Sequence, residues 1–196
     1  MLEVLIYGRG GQGNVTAAEI LAGAAFEDGL YSQGYPFFGS ERMGSPVQAY
    51  VRLDQQPIRL RSQIRHPDIL LIQDETLATD VNILGAVKAG GTIIANTRKR
   101  PEELQALTPA RVWTLPALQI AMDVIGRPNT NVVMLGAFAA ITGAVSLEAI
   151  QRAARRRFPG AVGERNCEAA RRAYELALTE RKGHEADTRI GGAARH

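Results

Sequence analysis

The stretch from Leu2 to Phe26 constrains the fold more than any other part of the chain. "LEVLIY", Leu2 to Tyr7, is a nearly unbroken apolar run of strand length, and it enters Gly8, Gly10, Gly11 and Gly13 before the alanine-rich segment Val15 to Phe26. A short apolar run bounded by glycine reads as a buried strand; the segment after it, with Glu19 as its one charge, reads as a helix covered on more than one side. Strand, glycine bend and helix make the opening unit of an α/β sheet. Gly8, Gly10 and Gly13 also satisfy G-x-G-x-x-G, a spacing that lets backbone amides approach a phosphate at the positive end of a helix. Glycines serving only tight strand-to-helix packing explain the same pattern.

Two further patterns separate these readings in part. A dinucleotide site calls for an acidic residue about 20 positions on, at the end of the second strand. Glu27 and Asp28 arrive early, in the turn that ends the helix, and "YSQGY" carries no acid. No lysine and serine or threonine follow the glycines as a phosphate loop of the ATPase type requires. An anion grip remains available to the backbone, and a standard NAD or FAD site is weakened.

The remaining chain repeats strand and helix signals. A short strand is expected around Leu30 to Tyr35, an alternating one over Val47 to Leu53, and a hairpin turn at Asp54 to Pro57 leading into Ile58 to Leu60. Pro67 to Asp74, Thr92 to Asn96 and Arg111 to Leu115 read as buried parallel strands, with helical character over Thr79 to Lys88. Thr16 and Glu19 match a capping box for the first helix, with Asn14 competing for the cap. Asn131 to Val145 is strongly apolar yet shorter than the roughly 20 residues that span a bilayer. Ser146 caps the next helix, and Asn166 to Leu178 forms a final amphipathic one. The fold class expected is α/β: a Rossmann-like, mostly parallel sheet flanked by helices, with a β-hairpin insertion and a helical C-terminal third. One domain is expected over residues 1–178, followed by a flexible or partner-bound tail over 179–196.

Composition narrows the function. Hydrophobic residues at 45% and charged residues at 22% lie in the ordinary globular range. Net charge is only +3, without the aromatic-interleaved basic array of a single-strand binder, so no nucleic-acid partner is expected. A single cysteine, Cys167, excludes an internal disulfide and any four-cysteine metal cluster within this chain. With no basic n-region before the first strand and no membrane segment, a cytoplasmic location is expected. Cys167 reads as a packed residue, His66, His184 and His196 support no catalytic arrangement, and Arg155 to Arg157 read as a solvated helix face. Two helices apolar nearly all round, Val15 to Phe26 and Val132 to Val145, favour docking onto other subunits or else lie centrally within the domain.

At this level of detail a family resemblance enters. "GRGGQGNVTAAEILAGAAFEDG", Gly8 to Gly29, resembles the gamma subunit of 2-oxoacid:acceptor oxidoreductases, the pyruvate:ferredoxin oxidoreductase family. "YPFFGSERMGSPVQAYVRLDQQPI", Tyr35 to Ile58, is similar to that family's loop, in which an aromatic and glycine precede a Glu-Arg pair and a Gly-x-Pro. "NVVMLGAFAAITGAVSLEAI" and "FPGAVGERNCEAARRAYE" resemble its carboxyl-terminal helices.

The resemblance implies one subunit of an enzyme that decarboxylates a 2-oxoacid on thiamine diphosphate, passes electrons to iron-sulfur clusters and then ferredoxin or NAD, and forms an acyl-coenzyme A. Thiamine diphosphate with Mg and the [4Fe-4S] clusters would belong to companion thiamine-binding, 2-oxoacid-binding and ferredoxin-like chains, and no catalytic or metal-binding side chain is assigned to this one. Its implied role is on the coenzyme A side. The candidate contacts are Gly8, Gly10, Gly11, Gln12, Gly13 and Asn14, together with Ser40, Glu41 and Arg42. Arg42 suits a bidentate grip on carboxylate or phosphate, with Glu41 fixing its position. An ion pair that holds this loop against a neighbouring subunit is the equal alternative.

Overall fold

The computed structural model describes residues 1–37 and 45–193, and side chains over 1–36 and 45–183. Strand β1, Leu2–Arg9, passes through the glycine bend into α1, Asn14–Glu27. Two strands follow, β2 at Tyr31–Phe37 and β3 at Pro46–Asp54. Then β4 (Ile69–Ile72), α2 (Val81–Gly85), β5 (Thr92–Asn96), α3 (Pro101–Gln105) and β6 (Arg111–Leu115) alternate. Four helices close the chain: α4 (Ala117–Val124), α5 (Asn131–Thr142), α6 (Leu147–Arg157) and α7 (Ala161–Ala193).

The six strands form one sheet in the order β2-β3-β1-β4-β5-β6. β1, β4, β5 and β6 are parallel neighbours, whereas β3 runs antiparallel to both β1 and β2. Both faces are covered, which is why the central strands read as continuous apolar runs. Val4, Ile6, Val51, Leu71 and Ile94 pack under α1 and α4 to α7. Leu5, Tyr50, Leu70, Ile72 and Ile93 pack against Leu84 of α2, Leu104 of α3 and Ile64.

The hairpin lies elsewhere than expected. Its strands are β2 and β3, and residues 57–60 form no strand. The reason is hydrogen-bonding capacity: β3 is paired along both edges, so Ile58 to Leu60 meet no free edge, and Pro57 lacks a donor. The segment instead crosses that face as a strap. Ser62 carbonyl accepts from Arg52 (2.7 Å) and Tyr35 (2.6 Å), and Gln63 donates to Tyr50 (2.9 Å).

Two helix expectations also change, and one open alternative is decided. The capping box at Thr16 and Glu19 does not form, because the cap of α1 lies three residues earlier, at Gly13, in the left-handed region at φ 77°, without a side-chain cap. Of the two apolar helices, α5 is buried from Asn131 to Ala140 between the sheet side and α7, and α1 is buried along Ala17, Ile20, Leu21 and Ala24 beneath α5 and α6 but leaves Phe26 exposed. α7 runs past Leu178 into the segment expected as a tail, a stretch free of proline and rich in helix-forming Glu, Arg, Lys and Ala. Arg181 donates to the Ala140 carbonyl at 2.8 Å, so the first part of that segment is fastened to α5. Ser146 caps α6 as expected, accepting from Ala149 N–H at 3.1 Å.

Candidate functional site

Parallel strands present their carboxyl ends at one edge of the sheet, where ligands bind in open α/β folds. Here that edge gathers the bend after β1, Gln73 and Asp74 after β4, Asn96 at the end of β5, and the amino termini of α1, α4 and α5. A buried amide network ties these parts together. Gln73 Nε2 donates to Asn14 Oδ1 (2.9 Å), and Thr130 donates to Gln73 Oε1 (3.4 Å). Asn96 Nδ2 donates to the Gln73 carbonyl (2.8 Å), and Leu118 N–H donates to Asn96 Oδ1 (3.0 Å). Asn14 Nδ2 in turn reaches the Arg9 and Val47 carbonyls.

The glycine bend is filled from within. A Cβ on Gly8 would lie 2.6 Å from Asn14 Oδ1 and 2.8 Å from Gln12 Oε1, and one on Gly13 would lie 2.6 Å from Asn131 Nδ2. Gly8 and Gly13 thus make room for the protein's own amides. Gly11, at φ 89°, faces open space and is exposed like Gly10. Gln12 turns inward: its Oε1 accepts from Arg9 N–H (2.7 Å) and its Nε2 donates to Asp74 Oδ2 (2.5 Å). Ala17 N–H is the first donor of α1 to bond back, to the Gly13 carbonyl at 2.8 Å, which leaves the earlier amides of that turn at the positive helix end.

Charge at the bend is balanced. Burial favours a neutral Asp74, but hydrogen bonds from Thr76 and Gln12 and the nearby Arg9 outweigh it and hold the carboxyl below its usual range. Arg9 donates to Thr76 Oγ1 and stands 3.7 Å from Asp74. At the opposite face Tyr7 is pushed up to about 12 by burial and by Asp80, to which it donates at 3.0 Å, so it stays protonated.

The bend therefore assembles Gly8, Gly10, Gly11, Gln12, Gly13 and Asn14 at one place. Ser40, Glu41 and Arg42 lie outside the described residues. Their loop rejoins the fold beside the bend, where Gly10 N–H donates to the Ser45 carbonyl at 3.3 Å. The early acids have other work: Glu27 pairs with Arg152 and Arg156 of α6, and Asp28 accepts from Ser146. Arg155 pairs with Glu164, and Arg157 approaches Glu19 at 3.9 Å, so the arginine run clamps helices instead of facing solvent alone. Cys167 is packed as expected, donating to the Gln151 carbonyl, with burial pushing its thiol up. His66 is exposed on a loop with Nδ1 3.2 Å from the Ala86 carbonyl, and the side chains of His184 and His196 lie outside the described residues. No helix among the described residues is long and apolar enough to cross a membrane.

Reversal of β3 removes the place of a dinucleotide's ribose acid. The strand beside β1 meets the bend with its amino end, Pro46 opposite Arg9, and β2 ends in Tyr35, Pro36 and Phe37 at the sheet margin. A family model described as pyruvate ferredoxin/flavodoxin oxidoreductase matches residues 3–176. The chain belongs to this family.

Relatives agree along nearly the whole length. The chain is 54% identical over 155 residues to the pyruvate synthase subunit PorC of Methanosarcina barkeri, covering 79% of this chain and 85% of that one. It is 46% identical over 181 residues to the pyruvate/ketoisovalerate oxidoreductases common subunit gamma of Thermococcus kodakarensis, covering 91% and 98%. The crystal structure of pyruvate oxidoreductase subunit PORC from Thermotoga maritima superposes with a TM-score of 0.78 at 34% identity, covering 89% of this chain and 95% of that one.

In this member of the pyruvate ferredoxin/flavodoxin oxidoreductase family, sequence reasoning passed over Gln73, Asp74, Asn96, Thr130 and Asn131. A signal for three of them was present. "ILLIQD" and "TIIAN" end apolar parallel strands in polar residues, at the edge where such sheets place their sites.

Proposed function

We propose that this chain is the gamma-type subunit of a multi-subunit enzyme that oxidatively decarboxylates a 2-oxoacid, pyruvate or a branched-chain or aromatic one, to its acyl-coenzyme A. The family match over residues 3–176 carries the reading, supported by relatives named for pyruvate and ketoisovalerate. Thiamine diphosphate and the clusters belong to companion chains. A [4Fe-4S] cluster takes four cysteine thiolates, and this chain has one cysteine. Electrons leave through a ferredoxin-like companion to ferredoxin or to an NAD-reducing subunit.

Coenzyme A would supply the thiol that accepts the acyl group. The residues of this chain suit its pyrophosphate on the outer side of the bend only: Gly10 and Gly11 are exposed, Gly11 faces open space, and α1 has neither a side-chain cap nor an acid in its first turn. The inner side is taken by Gln12 and Asn14. The Gly11 N–H and Arg42 would then bind and orient the coenzyme, since the Gly10 N–H is given to the Ser45 carbonyl, while the chemistry proceeds on the companions.

Co-expression with thiamine-binding, 2-oxoacid-binding and ferredoxin-like companions tests the whole reading. Ferredoxin reduction by a panel of 2-oxoacids is expected to need both this chain and coenzyme A, and the chain alone is expected to be colourless and inactive. Dehydrogenase activity of the isolated chain with a tightly held dinucleotide would overturn the reading. Arg42→Ala separates the two roles of its loop: a raised KM for coenzyme A in an intact complex indicates ligand contact, and failed assembly indicates subunit docking.

A further inference from the structure

Gln12 does two things: it closes the crevice between β1 and β4, and it links the loops that follow those strands. Its amide oxygen takes the Arg9 N–H at 2.7 Å while its amide nitrogen gives to Asp74 Oδ2 at 2.5 Å. Asp74 is itself fixed by its second oxygen, Oδ1, which accepts from Thr76 N–H (2.9 Å) and Thr76 Oγ1 (2.5 Å). The Gln12 N–H adds a third tie, to the Arg9 carbonyl at 3.2 Å. Every bond on this path runs inward; of the two residues between Arg9 and Gln12, Gly10 gives its N–H to the Ser45 carbonyl at 3.3 Å, and Gly11 is left exposed facing open space.

We propose that Gln12 and Asp74 are positioning residues for the anionic part of coenzyme A: they pull the bend shut on its inner side and so aim the Gly11 backbone outward at the ligand. The proposal rests on the coenzyme A reading above. Neither residue touches the ligand. Because a carboxylate accepts and an amide both accepts and donates, the pair has a defined polarity. Gln12→Glu sets two carboxylates face to face, and Asp74→Asn sets two amide nitrogens face to face. The double variant Gln12→Glu/Asp74→Asn restores every bond with the donor reversed: the new amide donates to the new carboxylate, whose other oxygen keeps the Arg9 N–H, and Thr76 keeps Oδ1.

The test is steady-state kinetics of the assembled complex, with pyruvate and coenzyme A varied separately. Each single variant is expected to raise the KM for coenzyme A on the order of tenfold, with kcat and the KM for pyruvate unchanged, and the double variant to return within about twofold of the parent. A purely structural pair would lower the melting temperature of the complex and leave that KM alone. Unchanged KM for coenzyme A in the single variants, or no recovery in the double, overturns the proposal. Should Gln12→Glu fail to assemble, Gln12→Met carries the same test, since it removes the amide without opposing like charges. Gly11→Val and Arg42→Ala, measured alongside, separate the two levels. If they raise the KM and the Gln12 and Asp74 variants do not, positioning fails alone; if none raises it, the coenzyme A reading fails with it.

Discussion

Asp74 ties the candidate site to pH. Burial would raise its pKa, yet the bonds from Thr76 and Gln12 and the charge of Arg9 leave it depressed. A carboxyl depressed by folding adds stability at pH values above its unfolded pKa, near 3.9, and that stability is lost as pH falls through the folded value. Urea midpoints are therefore expected to fall with acidification below about pH 4, and less steeply in Asp74→Asn; equal acid limbs would exclude this role. Arg52 makes a larger contribution. It is 1% exposed, pairs with Glu3 at 3.0 Å, and donates to Tyr35 Oη and the Ser62 carbonyl. Arg52→Ala leaves Tyr35 Oη and the Ser62 carbonyl short of a donor and Glu3 with Lys88 as its remaining partner, and is expected to cost about 1–3 kcal/mol in urea denaturation. The role of Arg52 was not legible in the sequence. In "VQAYVRL" the alternation gives Gln48, Tyr50 and Arg52 the polar face of a strand, and nothing local reveals that the strap from Pro57 to Ile64 covers that face.

Elements were legible where local pattern and tertiary pairing agree. β5 and β6 span the residues expected of them, because each is a largely apolar run stopped by a turn signal and paired in parallel, β5 with β4 and β6, and β6 with β5. The hairpin was misplaced because pairing capacity is a property of the sheet and not of the segment: Asp54 to Pro57 has turn chemistry, but β3 had no edge left. Helix packing depended on an equally nonlocal fact. At Gly136, α5 lies so close to α7 that a Cβ would collide with the Ala170 carbonyl, a contact of backbone that no side chain can relieve. Gly136→Val is expected to lose about 3 kcal/mol or more, seen as a lower melting temperature of the isolated chain, whereas Gly126→Ala, at a turn with open space, is strained only by its positive φ and should lose less.

At the scale of the molecule, the chain itself covers α5 and, except at exposed Phe26, the apolar face of α1. The isolated chain is expected to unfold in one cooperative transition with intact near-ultraviolet dichroism; strong dye binding and a broad transition would mean that its core is completed only in a complex. The general architecture and the bend's location could be read from the sequence, and so could the family, through motifs spread over Gly8 to Glu175. Which way the bend faces could not, because Gln12 and Asp74 are 62 positions apart. That inward glutamine bears on how such chains are recognised. A search keyed to glycine spacing gathers this protein with NAD-linked dehydrogenases, although two of its three spaced glycines are vacated for the molecule's own carboxamides. What tells this bend apart from theirs is a glutamine before the last glycine reaching across to an acid just after the neighbouring parallel strand, a link that glycine spacing does not register.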